Sequence, residues 1–179
     1  LQNLVAKCDE IVIVSSSNTD DYEDEVRHLD LINLTCKLTT YWMPPSGVYA
    51  AINTGVRLAQ GQWLNVIHAG DIAIADSLDD IRRVIESNQI EIIICNQRYG
   101  PNIKHSSILD SKRHKAVIPH QSTFYRRRLH IEHGFYDETK RAISDQLFFR
   151  SAITQTNTIY LQTIYCLSKV GLHLYYFHQ

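Results

Sequence analysis

The chain has 179 residues, of which 44% are hydrophobic and 21% charged. That length suits one domain, enough to bury about 70% of the surface an unfolded chain exposes. A formal net charge of −1 speaks against a broad nucleic-acid-binding surface, which needs a basic face. No apolar run approaches the roughly 18 residues of a membrane span, and no secretory signal is visible.

Cys8, Cys36, Cys95 and Cys166 are widely spaced and form no CxxC pair, which argues against a structural zinc site. Scattered cysteines in a chain of this size need no disulfide, and a reducing cytoplasm fits them.

The first element in chain order is the β-branched run Ile11-Val12-Ile13-Val14, read as a buried strand that ends in the polar stretch Ser15 to Asp21. A charged helix over 22–30 and a strand over 37–42 follow. After Pro44-Pro45, Ser46 is placed to cap a helix over 47–59, because its hydroxyl can accept an orphan amide of the first turn. Val48, Ala51, Ile52, Gly55 and Ala59 share one face of that helix, and Gly61 is a natural stop. Trp63 to Ile67 reads as a strand leading into His68-Ala69-Gly70-Asp71.

Ser77-Leu78-Asp79-Asp80 resembles a capping box, with Leu78, Ile81, Val84 and Ile85 on the core face of the helix that it opens. Ile90 to Cys95 is almost wholly apolar, as suits a strand covered on both faces. Residues 98–116 read as a long polar loop. Beyond it come a strand over 122–125, a short helix over 126–133 stopped by Gly134, and a helix over 144–155. The tail is rich in β-formers over 158–165 and 172–177. Strands that alternate with helices in this way predict an α/β sheet. Neither a GxGxxG nor a Walker loop is present.

Three segments, in order, carry a likeness to a known family. The first is Ser46-Gly47-Val48-Tyr49-Ala50-Ala51-Ile52-Asn53-Thr54-Gly55, continuing to Ala59-Gln60-Gly61-Gln62-Trp63. The second is His68-Ala69-Gly70-Asp71. The third runs from His120-Gln121-Ser122-Thr123-Phe124-Tyr125-Arg126 through Gly134-Phe135-Tyr136-Asp137-Glu138 to Ser144-Asp145-Gln146-Leu147-Phe148-Phe149-Arg150. Together they resemble family 2 glycosyltransferases of the GT-A fold over about residues 1–155. The resemblance implies a single domain spanning 1–179, with a divergent tail over 156–179. Its fold would be a Rossmann-like open mixed sheet flanked by helices, with a nucleotide-sugar at the carboxyl ends of the strands. The implied reaction moves a sugar from a nucleoside diphosphate to an acceptor hydroxyl, usually with inversion. The acceptor would be a glycan or a lipid-linked group in cell-surface polysaccharide or glycolipid synthesis. Such an enzyme works in the cytoplasm, including at the inner face of a membrane with which it associates peripherally.

That chemistry assigns roles. A leaving diphosphate develops negative charge, which Mg2+ or Mn2+ neutralises. Asp71, beside Gly70 at a strand end, stands where the family holds its metal ligand; as residue chemistry alone, it also reads as an aspartate in a turn. Asp145 matches the family's base, which takes the acceptor proton; by position it equally suits the positive end of a helix. Ser15, Asp20, Asn53, His68, His120 and Gln121 fall on substrate-binding positions. For His120, a packed histidine is the competing reading, and for Asn53 a local backbone cap. His130 and His133, at helical spacing, lack a third metal ligand. Arg126 to Arg128 read either as phosphate contacts or as a solvated face.

The match also departs from the family. Ser15 replaces an acidic residue that contacts the nucleotide base, Ala50 replaces an Asp, and His68 replaces an Asn or Asp. The family's first strand, central to its sheet, has no counterpart before Leu1, and its absence would leave neighbouring strands with unpaired backbone groups. A fragment, a gap filled by another strand and a degenerate protein all remain open. These departures support a second reading, a catalytically inactive GT-A-like binding module.

Overall fold

The structure, a computed structural model, describes residues 7–30, 36–87, 89–105 and 118–168, and for Asp20, Glu25, His28, Leu29, Asp30 and Ser87 the backbone only. The predicted strand over 172–177 and most of the 98–116 loop lie outside the described residues.

In chain order the elements are β1 (Glu10–Ser15), α1 (Thr19–Asp30), β2 (Lys37–Trp42), α2 (Val48–Leu58), β3 (Trp63–Asn65), β4 (Ile72–Ala73), α3 (Ser77–Ser87), β5 (Ile92–Tyr99), β6 (Asn102–Lys104), a 3-10 turn (His120–Ser122), β7 (Thr123–Arg126), α4 (Leu129–His133), α5 (Ser144–Ala152) and β8 (Thr158–Ser168). They form a two-stranded sheet, β1-β2, and a six-stranded sheet in the order β3-β7-β5-β8-β4, with β6 on the end of β5. The larger sheet is mixed, because β5 runs antiparallel to β7 and parallel to β8.

The apolar run of β5 has a simple cause. Alternate residues of a strand point to opposite faces, and both faces of β5 are covered. Ile92 and Ile94 pack with Tyr49, Tyr125, Leu129, Phe148 and Phe149 on one side. Ile93 and Cys95 pack with Leu78, Ile81, Phe124 and Tyr165 on the other. Phe149 and Ile92 are wholly buried, and each such side chain contributes about 1.5–3 kcal/mol. Burial also pushes the Cys95 thiol up to about 12, which makes it an inert core group.

The strand continues past the predicted end at Cys95. Asn96 and Gln97 are as buried as the isoleucines. Their amide nitrogens donate to the Gln162 carbonyl at 2.8 Å and the Ser168 hydroxyl at 2.7 Å. The tail thus supplies the long partner strand β8, and the expected loop begins only after Tyr99, with the β5–β6 hairpin.

Two expected caps are corrected. Ser46 donates to the Pro44 carbonyl at 3.0 Å, and Gly47, at φ 97°, is the cap residue of α2. A positive φ is open to glycine, so the chain enters the helix one residue later than the serine requires. Ser77 is already helical, and its hydroxyl donates to the Ile164 carbonyl of β8 at 3.0 Å. The stop at Gly134 holds, with φ 83° closing α4.

β1 carries β2 on one side, and β3 carries β7 on one side. Their other edges have no strand partner among the described residues. Glu10 ties the two sheets together where they approach. Its carboxylate accepts from the Gln60 and Gly61 amides at 2.7 and 3.0 Å and from Lys37 at 3.0 Å.

Candidate active site

A cleft of ≈ 1690 Å³ runs between the sheets, and its walls include Ile11 to Val14, Tyr49, His68, Asp71, His120, Gln121 and Asp145. The structure therefore brings Asp71 and Asp145, 74 positions apart in the chain by subtraction of their numbers, to one space.

Asp145 lies in the first turn of α5. Tyr49, from α2, donates its hydroxyl to Asp145 Oδ1 at 2.8 Å and accepts the Ser144 amide at 3.1 Å. Burial first, and then donation to Asp145, push the Tyr49 phenol upward, so it stays a donor. Gln146 donates to Asp145 Oδ2 at 3.2 Å, and it is itself fastened to the Ile118 amide and carbonyl at 2.9 and 2.7 Å. Ile143, just before the helix, sits at φ 69°. For a β-branched residue that conformation is strained by about 1–3 kcal/mol, and such strain clusters at functional sites.

His120 is 4% exposed. Its Nε2 is 3.2 Å from the Tyr136 hydroxyl and its Nδ1 is 3.8 Å from Asp145 Oδ2. Burial lowers its pKa to about 4 against the opposing pull of Asp145, so the ring is neutral near pH 7. Its contacts are thus with the protein, on the inner side of Asp145.

After β3, Gly70 at φ 88° and an Asp71 amide bond to the His68 carbonyl at 3.1 Å make a tight turn. The Asp71 carboxylate takes no hydrogen bond or ion pair from any described residue. His68 Nδ1 lies 3.1 Å from the Gln121 amide nitrogen, whose oxygen accepts from Gln97 at 3.3 Å. In this network the amide donates, so the His68 proton is on Nε2. That buried atom has no hydrogen-bond partner among the described residues. Burial lowers the His68 pKa, with Asp71 and Asp145 opposing. Among the described residues no group of three or more His, Cys, Asp or Glu is arranged to hold a metal ion.

The other predicted residues are placed as follows. The Ser15 hydroxyl pairs with that of Ser17 at 2.7 Å, closing a turn at the end of β1. Asp20 is in the first turn of α1, and its side chain lies outside those described. Asn53 is buried and clamps the 136–138 segment, donating to the Tyr136 carbonyl and Glu138 at 2.9 and 2.8 Å and accepting the Tyr136 amide at 3.0 Å. Ala50 is buried, so no acid enters the cleft there. His130 Nδ1 and Nε2 are engaged by the Gly134 carbonyl and the Tyr125 hydroxyl. Arg126, Arg127 and Arg128 reach Gln62, the Gly61 carbonyl and Glu91. Tyr49, Gln146 and Tyr136, which organise Asp145 and His120, were not singled out by sequence reasoning. All three stand inside the quoted motifs, which was the available signal.

No helix among the described residues is long and apolar enough to cross a membrane. Residues 2–155 match the family model described as glycosyl transferase family 2. The chain is 32% identical over 145 residues to the PGL/p-HBAD biosynthesis glycosyltransferases of Mycobacterium bovis and Mycobacterium tuberculosis, covering 76% of this chain and 55% of theirs. It therefore spans about half the length of those curated relatives. Among solved structures, it superposes on S. aureus TarS 1-349 in complex with UDP with a TM-score of 0.72 at 18% identity, covering 90% of this chain and 51% of that one. The complex of the same protein with UDP-GlcNAc gives 0.72 at 16% identity, covering 89% and 49%. These likenesses show the fold, a GT-A mixed α/β sheet flanked by helices. On the match over residues 2–155, together with the motif order, the chain belongs to glycosyl transferase family 2.

Proposed function

We propose that this chain carries the catalytic cleft of an inverting glycosyltransferase that moves a sugar from a nucleoside-diphosphate sugar to an acceptor hydroxyl. The observation that carries the reading is the presence of two differently held carboxylates in one cleft. Asp145 is gripped by Tyr49 and Gln146, while Asp71 has no side-chain partner among the described residues. A base has to be aimed before the substrate arrives. A cation ligand has to be free to bind one.

Asp145 takes the proton of the acceptor hydroxyl. The oxygen attacks the anomeric carbon from the face opposite the diphosphate, and the bond from carbon to diphosphate breaks. His68 Nε2–H, buried and without an acceptor, is a donor to the diphosphate or the sugar. Asp71 fits Mg2+ or Mn2+, because hard cations at phosphate sites often take only one or two carboxylates and complete their shell with phosphate and water oxygens. Bound there, the cation would neutralise charge on the leaving diphosphate. The TarS complexes with UDP and UDP-GlcNAc support a uridine-diphosphate sugar as donor. The mycobacterial relatives' names support a glycolipid acceptor, which brings such an enzyme to the face of a membrane.

Titration with UDP-GlcNAc and Mn2+, by calorimetry and by release of UDP, tests the reading. Metal-dependent binding that Asp71→Asn abolishes, with turnover that Asp145→Asn abolishes, is the expected result. A second reading, a non-catalytic module that binds a sugar nucleotide or a glycan, rests on Ser15, Ala50 and the unpaired strand edges. Binding with no turnover against any acceptor would favour it.

A further inference from the structure

A file of buried groups leads away from Asp145, and the reaction as described leaves it unused. His120 Nε2 lies 3.2 Å from the Tyr136 hydroxyl, which lies 3.0 Å from the Tyr125 hydroxyl. Tyr125 lies 3.2 Å from His130 Nε2, and His130 Nδ1 ends on the Gly134 carbonyl at 3.1 Å. All four side chains are at most 4% exposed. At such burial a contact between two lone pairs with no proton between them is costly.

Counting protons gives the direction of the file. The three contacts from His120 to His130 need three protons, and the two hydroxyls supply one each. The third has to come from a ring nitrogen. The Gly134 carbonyl only accepts, so the proton of neutral His130 is on Nδ1 and its Nε2 is bare. A second proton on His130 is opposed by burial, which lowers its pKa to about 4. The third proton is therefore on His120 Nε2. Donation runs one way, from His120 to Tyr136, Tyr125, His130 and Gly134.

That order leaves His120 Nδ1 bare and facing Asp145 Oδ2 at 3.8 Å, beyond hydrogen-bond range, as befits two lone pairs. In the familiar Asp–His pair of hydrolases, Nδ1–H donates to the carboxylate; here the ring is turned the other way in protons. We propose that His120 is the proton-sharing partner of Asp145, held with a bare Nδ1 by the Gly134-anchored file, so that the acceptor's proton is lodged between Asp145 Oδ2 and His120 Nδ1. The inference rests on Asp145 being the base. In the step, the acceptor O–H bond breaks and its electron pair forms the bond to the anomeric carbon. The diphosphate leaves with the pair of the broken carbon–oxygen bond, and the proton stays in the Asp145–His120 pair until water removes it. The titratable groups that face His120 are Asp145 from α5, His68 from the loop after β3, Tyr136 and, one contact away, His130.

The test is nitrogen-15 NMR of the full chain labelled at histidine, with His120 identified by its loss in His120→Gln. At neutral pH the expected spectrum has a bare Nδ1 and a protonated Nε2. Tyr136→Phe removes the acceptor of Nε2–H and should reverse the tautomer. Should that variant not fold, Tyr125→Phe, one link further on, should do the same by freeing the Tyr136 proton for His120. On acidification, the proton should go to His120 Nδ1, and Asp145→Asn should lower the midpoint of His120. A native Nδ1–H tautomer, or a His120 midpoint that Asp145→Asn leaves in place, overturns the proposal while leaving Asp145 as base. Retained turnover of UDP-GlcNAc in Asp145→Asn would instead remove the base and leave the tautomer in place.

Discussion

Asp145 and Asp71 face the same cleft, yet one carboxylate is held by Tyr49 and Gln146 and the other by nothing described. The cleft that they line also has two unlike walls. Behind Asp145 stand Phe148, Phe149, Tyr125 and Tyr136, packed edge to face. Across the cleft, β1 and its neighbour β2 form a small sheet of half-buried and exposed residues, joined at its start to the rest by Glu10. Chemistry on a proton needs a rigid base. A charged and bulky donor is better served by a wall that closes on the ligand, since binding energy can then order it.

The comparison is most directly broken at the base. Asp145→Asn should lower transfer from UDP-GlcNAc by about 10²–10⁴-fold, measured as UDP release, with little change in the urea midpoint. Equal losses from Asp145→Asn and from a cleft variant such as Ile13→Ala would erase the distinction. Packing gives the next effect. Phe149→Ala should cost about 3–5 kcal/mol by urea unfolding, whereas Val12→Ala in β1 should cost about 1 kcal/mol. Similar costs would mean that the walls are equally rigid.

Acid should attack the Asp145 wall. An unfolded histidine takes its proton near its ordinary value of 6.5, while burial lets His130 take one only near 4. Between those values the unfolded chain binds more protons, so stability is complete above pH 6.5 and falls as pH drops toward 4. The loss is on the order of 3 kcal/mol. Urea midpoints measured across that range check it, and a flat profile would contradict the neutral burial of His130. Asp71→Asn should weaken Mn2+-dependent UDP binding by at least about tenfold, or about 1.4 kcal/mol, with the melting temperature of the free protein unchanged. The smallest effect belongs to Ile143, where Ile143→Gly should add about 1 kcal/mol of stability by relieving the positive φ. No gain would mean that the strain is absorbed elsewhere.

Much of this was legible in the residues. The runs Ile11–Val14 and Ile90–Cys95 announced strands because runs of β-branched side chains suit a pleated strand. Gly134 marked the end of α4 because its backbone angle excludes side chains. The motifs around Asp71 and Asp145 pointed to the two carboxylates. The caps at Ser46 and Ser77 were misread, since each hydroxyl found a nearer carbonyl once the chain had folded. The polar end of β5 was missed because Asn96 and Gln97 are strand residues only by virtue of β8. No local pattern could have marked His120, Tyr125, His130 and Tyr136 as one file, because they come from the 3-10 turn, β7, α4 and the segment before α5.

The sequence by itself determined the α/β class, most elements and the residue types on which sugar transfer would rest, because periodicity, glycine conformation and motif order are local properties. Only the tertiary structure decided that Asp145 is gripped while Asp71 has no side-chain partner among the described residues, that the sheet is split along the cleft, and that His120 stands against Asp145. Those are properties of contacts between residues far apart in the chain, and burial sets their protonation by removing the water that would otherwise satisfy each group alone.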